Sequence, residues 1–314
     1  MAVADNGFSK QLERKVKLVN KTLGRILSRR DLISKELRGP VRYALTGPGK
    51  RIRSAMLLWC CEMISGKINR DAQIAAVAIE MVHTYSLIHD DLPAMDDDDY
   101  RRGRLTCHKK FDEATAILTG DALLTLAFEL LAEEIKSPAM AARLVGELAE
   151  AAGPAGMVAG QMADLDFENK NVDEKILRYI HTNKTAKMFA SAAVMGGICG
   201  STPSTLLRTD SLTTGGRAGE KQLKLLREYG LKIGLGFQIA DDILDVCGTS
   251  EQLGKTSGKD ARQGKQTYPA VVGLEKSKKL AEKIADEAVA ALKPFGEKAG
   301  VLRQLAESLL NRTK

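Results

Sequence analysis

The chain has 314 residues, a formal charge of +7, 44% hydrophobic residues and only 4% aromatics. That length allows one large core, and the scarcity of β-branched runs beside abundant Ala, Leu and Lys favours helices over sheets. The basic residues are scattered and not interleaved with aromatics, which excludes a typical nucleic-acid surface and leaves a phosphate-bearing small molecule to account for the excess charge.

Residues 8–30 carry Leu12, Val16, Val19, Leu23 and Ile26 at helical spacing. Leu45-Thr46-Gly47-Pro48-Gly49 breaks the pattern, and Arg53 to Ile64 resumes as a helix apolar on almost every side. Asp71 is the expected cap of a helix from about Ala72 to Asp91, which stops near Pro93. Asp96 to Lys110 follows as a loop. Helices are predicted over 113–135, 139–152, 154–168 and 173–199. Residues 201–219 are rich in Ser, Thr and Gly, the composition of a surface loop. Residues 220–246 read as helix and 248–266 as a polar loop. Tyr268 to Leu292 and Lys298 to Leu310 close the chain as helices, with Pro294 and Gly296 between them.

No repeat or domain boundary is visible, so the expectation is one all-α domain over 1–314, a bundle of ten or more helices. Cys60, Cys61, Cys107, Cys199 and Cys247 form no C-x-x-C pair and read as small hydrophobes of a reducing compartment. Met1 to Lys10 has no apolar run behind a basic head, and no run of about eighteen uncharged apolar residues occurs. A cytoplasmic protein with no transmembrane segment is expected.

Two aspartate clusters carry the chemistry. The second, Asp241-Asp242-Ile243-Leu244-Asp245, puts Asp241 and Asp245 one helical turn apart on one face. Their charges repel unless a cation bridges them. The first runs from Asp90 to Asp99; Pro93 forces the helix to end, so Asp90 points in from the last turn and Asp96 reaches back from the loop. Mg²⁺, a hard cation that takes oxygen ligands and keeps substrate phosphates in its shell, is the natural partner. Basic residues flank both clusters: Lys50, Arg51 and Arg53 after the Gly-Pro-Gly turn, Arg101 and Arg102 after the first aspartates, Lys184 with Thr185, and Lys255, Lys259 and Lys265 after the second. Arg suits bidentate phosphate contact and Lys supplies a point charge.

These residues resemble the trans-isoprenyl diphosphate synthases, and among them the bacterial-type farnesyl diphosphate synthases. Gly49-Lys50-Arg51-Ile52-Arg53 is similar to the family's G-K-R-x-R. Asp90 to Asp96 is similar to its first D-D-x-x-x-x-D, Gly160-Gln161 with Asp164 to its G-Q-x-x-D, Lys184-Thr185 to its K-T pair, and Asp241 to Asp245 to its second D-D-x-x-D. The resemblance implies the isoprenoid synthase fold, helices around a central cavity. It implies that Gly49, Lys50, Arg53, His83 and Arg102 bind isopentenyl diphosphate. Asp90, Asp96, Asp241, Asp242 and Asp245 would bind Mg²⁺, three ions with substrate present. Arg101, Lys184, Thr185, Gln238, Lys255 and Lys265 would hold the allylic diphosphate. It also implies a homodimer. Tyr85 lies five residues before Asp90, about 7 Å along the helix. A ring there can floor the tail pocket and stop the product at fifteen carbons, whereas the small Ser86 beside it keeps a twenty-carbon product open.

Three rivals are weighed against this reading. A terpene cyclase lacks the Gly-Lys-Arg turn and replaces the second aspartate set. A phosphohydrolase built on His89-Asp90 needs more His ligands than four histidines readily supply. A non-catalytic partner subunit tends to lose aspartates from one cluster, and both are complete here.

Overall fold

The computed structural model describes residues 6–201, 214–247 and 266–311. Helices α1 (Asn6–Leu27), α2 (Lys35–Leu45) and α3 (Ile52–Ser65) lead to α4 (Arg70–Asp90). A two-stranded hairpin (Tyr100–Arg101 with Arg104–Leu105) and the short α5 (Cys107–Lys110) follow. Then come α6 (Glu113–Glu134), α7 (Pro138–Ala152), α8 (Met157–Asp166), α9 (Glu174–His181), a π-helical turn (Thr182–Ala186) and α10 (Lys187–Gly200). The long α11 (Thr214–Cys247), α12 (Tyr268–Val272), α13 (Leu274–Ala291), a 3₁₀ segment (Lys293–Ala299) and α14 (Gly300–Asn311) close the order. The all-α architecture expected from composition is the one observed.

Helix α4 is the axis of the bundle. It is buried on nearly every side from Ala72 to Tyr85, with α3, α6 and α10 packed around it. Helix α10 is equally apolar, from Met188 to Cys199, and joins α4 to α3, α7 and α11. Helices that must be apolar all round belong at the centre of a bundle. A smaller apolar cluster gathers Leu177, Leu235, Ile239, Ile243, Tyr268 and Ile284 beneath the far end of α11.

Several boundaries differ from expectation for local physical reasons. Asn69, not Asp71, caps α4: its Oδ1 accepts from the Ala72 N–H at 2.8 Å. Helix α2 goes beyond the predicted set, and Pro40, a residue that ordinarily disfavours a helix interior, is buried inside it. The segment expected as one helix over 173–199 carries the π turn in its middle. Tyr268 to Leu292 is divided at Gly273, where φ is 88°. The expected loop 201–219 is helical from Thr214 onward; residues 202–213 lie outside the described residues, as does most of the expected loop 248–266. Helix α6 is, among the described residues, the one helix long and apolar enough by length and composition to cross a membrane. Its Leu123, Leu126, Ala127, Leu130 and Leu131 are buried, and it packs on α4. A helix lying on a bundle core passes the same composition test.

Candidate active site

The site forms around the C-terminal half of α4, and its two sides carry opposite charge. On the basic side the Gly-Pro-Gly turn leads into α3. Arg51 starts that helix in the left-handed region, with φ 49°, which turns its side chain inward. The guanidinium is buried against Glu80 of α4 at 3.0 Å and donates to the carbonyl oxygens of Leu45 and Gly47. Lys50 remains exposed. Arg53 lies 3.3 Å from His83 Nε2 and stacks over the Phe189 ring at 4.5 Å. Burial pushes Arg53 down to about 10, with Glu80 pulling the other way. Burial, then Arg53 and the other nearby arginines, holds His83 well below the ordinary histidine value, so its imidazole is neutral near pH 7.

Arg102 completes this side from the hairpin. Arg102 and Gly103 both have positive φ, 53° and 76°, the backbone that a tight two-residue hairpin turn requires. That turn brings Arg102 Nη1 to the Pro48 carbonyl at 2.9 Å. A Cβ on Gly49 would overlap the same guanidinium, so glycine is needed there for close approach. Pro48, His83, Thr84, Asp91, Arg101 and Arg102 are among the residues lining a cleft of about 600 Å³.

The acidic side begins at Asp90, the last residue of α4. Its carboxylate is buried; Oδ1 accepts from Gln161 at 2.8 Å, and Lys184 Nζ stands 3.8 Å from Oδ2. Burial raises the Asp90 pKa, Lys184 opposes the rise and Asp96 adds to it. Asp96 is brought back by its own backbone: its N–H donates to the Asp90 carbonyl at 2.8 Å. Asp91 is turned away from this pair and clamped by Arg101, whose Nε and Nη2 both lie 2.6 Å from Oδ1. Burial lifts Asp91 to about 6 against the pull of Arg101.

Every fixed position of Gly160-Gln161-x-x-Asp164 has a physical reason. A Cβ on Gly160 would collide with the backbone of Lys184. Gln161 orients Asp90, and Asp164 holds Lys184 Nζ at 2.6 Å. Burial works against the Lys184 charge, yet Asp90 and Asp164 raise its pKa. Lys184 and Thr185 sit in the π turn, a feature that often marks functional sites. Thr185 Oγ1 donates to Gln238 Oε1 at 3.2 Å, which links the turn to α11 and the second cluster.

Within that cluster the aspartates part company. Asp242 is buried; Oδ1 accepts from Gln238 Nε2 at 3.1 Å and Oδ2 from the Tyr268 N–H at 3.0 Å. His181 Nε2 is 3.8 Å from the same carboxylate, and burial lowers that histidine to about 4. Asp241 is partly exposed, and its charge supports that of Arg53. Asp245 is buried one turn further on. Arg53 thus touches His83 on the Asp90 helix while sensing Asp241, and Lys184-Thr185 reaches both clusters.

Contacts therefore join Gly49, Arg53, His83 and Arg102 on the basic side, Arg101 with Asp91, Asp90 with Asp96 and Lys184, and Thr185 with Gln238 and Asp242, while Lys50, Asp241 and Asp245 lie on the same elements. Lys255, Lys259 and Lys265 lie outside the described residues. Tyr85 is buried with its ring edge-on to His89 at 5.7 Å, on the side of α4 that meets α6; Ser86 is buried and donates to the His83 carbonyl at 2.9 Å. Sequence reasoning passed over Glu80 and His181. Glu80 did leave a signal, a carboxylate inside Ala75-Ala76-Val77-Ala78-Ile79-Glu80-Met81-Val82 that needs a buried partner. Among the described residues no three His, Cys, Asp or Glu side chains converge closely enough to hold a metal by themselves. The paired carboxylates of Asp90 and Asp96 are hard oxygen donors of the type that Mg²⁺ takes, with the rest of its shell drawn from water and phosphate.

Comparison with known proteins places these features in context. The family described as polyprenyl synthetase matches residues 34–309. Farnesyl diphosphate synthase of Escherichia coli is 40% identical over 314 residues, 98% of this chain and 99% of that protein. Chloroplastic geranylgeranyl pyrophosphate synthase 11 of Arabidopsis thaliana is 45% identical, covering 87% of this chain and 73% of its own. Among solved structures, a Helicobacter pylori geranyltransferase complexed with magnesium and isoprenyl diphosphate superposes with a TM-score of 0.79 at 30% identity, covering 99% of this chain and 98% of that one.

Proposed function

The chain belongs to the polyprenyl synthetase family, and we propose that it is a chain-elongating prenyltransferase that joins isopentenyl diphosphate to dimethylallyl or geranyl diphosphate and releases farnesyl diphosphate. The observation that carries this reading is the pairing, around one end of α4, of a basic cleft with two sets of carboxylates. A diphosphate can sit in the first on protein charge alone. In the second it needs metal.

Each group has a role in this reading. Lys50, Arg53 and Arg102, with neutral His83, bind isopentenyl diphosphate next to Gly49. Asp90, Asp96, Asp241 and Asp245 hold Mg²⁺, and Asp242, whose oxygens accept from Gln238 and Tyr268, fixes the shape of the second cluster. Mg²⁺ held there, three ions in this reading, would supply the positive charge that a diphosphate leaving group requires. Lys184 and Arg101 add positive charge at the same place, and Thr185 with Gln238 positions the reacting end. Apolar walls from α4, α6 and α10 keep water from the allylic cation; the double bond of isopentenyl diphosphate attacks it, and the proton then lost passes to the released diphosphate, which the reaction itself supplies as base.

Tyr85 supports a fifteen-carbon stop, being buried, bulky and one turn before the metal-binding end of α4. The Arabidopsis relative carries the alternative of a twenty-carbon product. The exposed Ile117 and Leu118 of α6, with Val158 and Met162 of α8, offer the apolar surface that a second copy would cover in a homodimer.

Incubating the purified chain with Mg²⁺, dimethylallyl diphosphate and isopentenyl diphosphate tests the reading by chromatography of the products. Farnesyl diphosphate is the expected product; absence of condensation overturns the reading. Tyr85→Ala is expected to lengthen the product, and an unchanged length removes Tyr85 from the argument.

A further inference from the structure

The most buried carboxylate near the site belongs to none of the motifs. Glu80 is 2% exposed, one turn before His83 on α4, and both its oxygens are engaged. Oε2 meets Arg51 Nη1 at 3.0 Å, and Oε1 accepts from Ser54 at 2.8 Å. Ser54 also donates to the Arg51 carbonyl at 3.0 Å. Arg51 in turn ties down the carbonyls of Leu45 and Gly47. A single carboxylate on the central helix therefore fixes three successive pieces of chain: the end of α2, the Gly-Pro-Gly turn and the start of α3.

Those pieces carry Lys50 and Arg53, and the Pro48 carbonyl anchors Arg102. Four guanidiniums act on His83: those of Arg53, Arg102, Arg101 and Arg51. Such a group repels itself until an anion arrives. The Glu80 charge acts on Arg53 and Arg102 as well as pairing with Arg51. Its partner Arg51 has a left-handed backbone, lines the cleft, and spends its guanidinium on protein carbonyls and Glu80.

We infer that Glu80 is a positioning residue for the homoallylic diphosphate: with Arg51 and Ser54 it forms a buried strut that holds the basic cleft ready, without touching substrate. The inference rests on the functional reading above. It predicts an effect confined to one of two substrates, because the carboxylate side is anchored separately, through Gln161, Asp164 and Gln238.

The test compares steady-state KM for isopentenyl diphosphate with KM for geranyl diphosphate in the purified full chain, alongside thermal unfolding. Glu80→Gln is expected to raise the first about tenfold and to leave the second within about twofold; Glu80→Asp should recover part of the loss. Ser54→Ala, a milder change that removes one hydrogen bond, should shift the same KM in the same direction. Arg51→Met with Glu80→Leu replaces the ion pair by apolar volume, a change that can leave stability intact. It should restore the unfolding temperature toward that of the wild type while KM for isopentenyl diphosphate stays high. Equal shifts in both KM values overturn the inference, as does a wild-type KM in the double variant. Loss of condensation in the wild-type chain overturns the functional reading itself, whereas a condensing wild type with unselective variants overturns only the strut.

Discussion

The two sides of the α4 end solve opposite electrostatic problems. On the basic side each guanidinium has a protein partner, Arg51 in Glu80, Arg53 in the Phe189 face and a neutral imidazole, and Arg102 in the Pro48 carbonyl, although Arg53 Nε stays buried without a hydrogen bond. The acidic side is incomplete. Asp90 keeps a raised pKa although Gln161 and Lys184 both attend it, because burial costs a carboxylate more than one lysine 3.8 Å away returns. Proteins tolerate that imbalance where a cation arrives with the ligand. The difference teaches that one side of α4 is held by pairs of opposite charge, while the other keeps a buried carboxylate that its neighbours only partly compensate.

Removing the metal is the harshest way to break this contrast. Chelation of Mg²⁺ is expected to weaken an unreactive thio-analogue of the allylic diphosphate by about a hundredfold or more, the scale of losing a principal charge-stabilising group. Isopentenyl diphosphate binding should stay within about twofold by calorimetry. Equal losses at both sites would end the distinction. Asp90→Ala and Asp241→Ala should each lower kcat by about 10²–10³, roughly 3–4 kcal/mol.

Arg101 lies at the seam between the two sides, and its removal sharpens the comparison through stability. Arg101→Ala strands Asp91 as a buried charge, and about 3 kcal/mol of folding stability should be lost in urea denaturation. Adding Asp91→Asn should return much of it, since the stranded charge is the cause. Gly160→Ala should cost about 1–3 kcal/mol, the usual range for overpacking, as its Cβ displaces the Lys184 backbone. It should lower kcat while sparing isopentenyl diphosphate binding, because the π turn serves the acidic side.

The smallest expected effect follows pH. His83 has a folded pKa well below its unfolded value near 6.5. Below that pH the unfolded chain takes up a proton that the folded chain refuses, so stability present above about pH 6.5 is lost as pH falls. The loss should reach about 1 kcal/mol near pH 5.5. His83→Gln should flatten this slope in urea midpoints taken at pH 5.5 and 7.5; an unchanged slope would mean that burial and the arginines do not keep the ring neutral.

Legibility in the sequence followed the range of the interaction. Long apolar stretches marked α3, α4, α6 and the core of α11 as central helices, and the apolar period marked α1, where burial repeats with the helical turn. The aspartate spacing pointed to the carboxylate pairs for the same reason. Cap choice was missed at Asn69, where Asp71 two residues later looks equally suited. Helix α2, with Pro40 buried inside it, was missed, and the π turn at Thr182–Ala186 has no compositional mark that separates it from the α-helix around it. Arg102 adopting positive φ ahead of Gly103 was equally silent, since nothing in an arginine announces a left-handed backbone.

By itself, then, the sequence determined an all-helical chain, the two carboxylate sets and the basic residues that flank them, because each of these is written in local spacing and composition. Tertiary packing decided which charges meet. It turned Asp91 and Asp242 toward protein donors, gave Arg51 to Glu80, and set Lys184 between Asp164 and Asp90. Apart from the local Gln238–Asp242 bond, these partners lie from 10 to 94 residues apart and are joined by how the chain packs, which depends on the whole core.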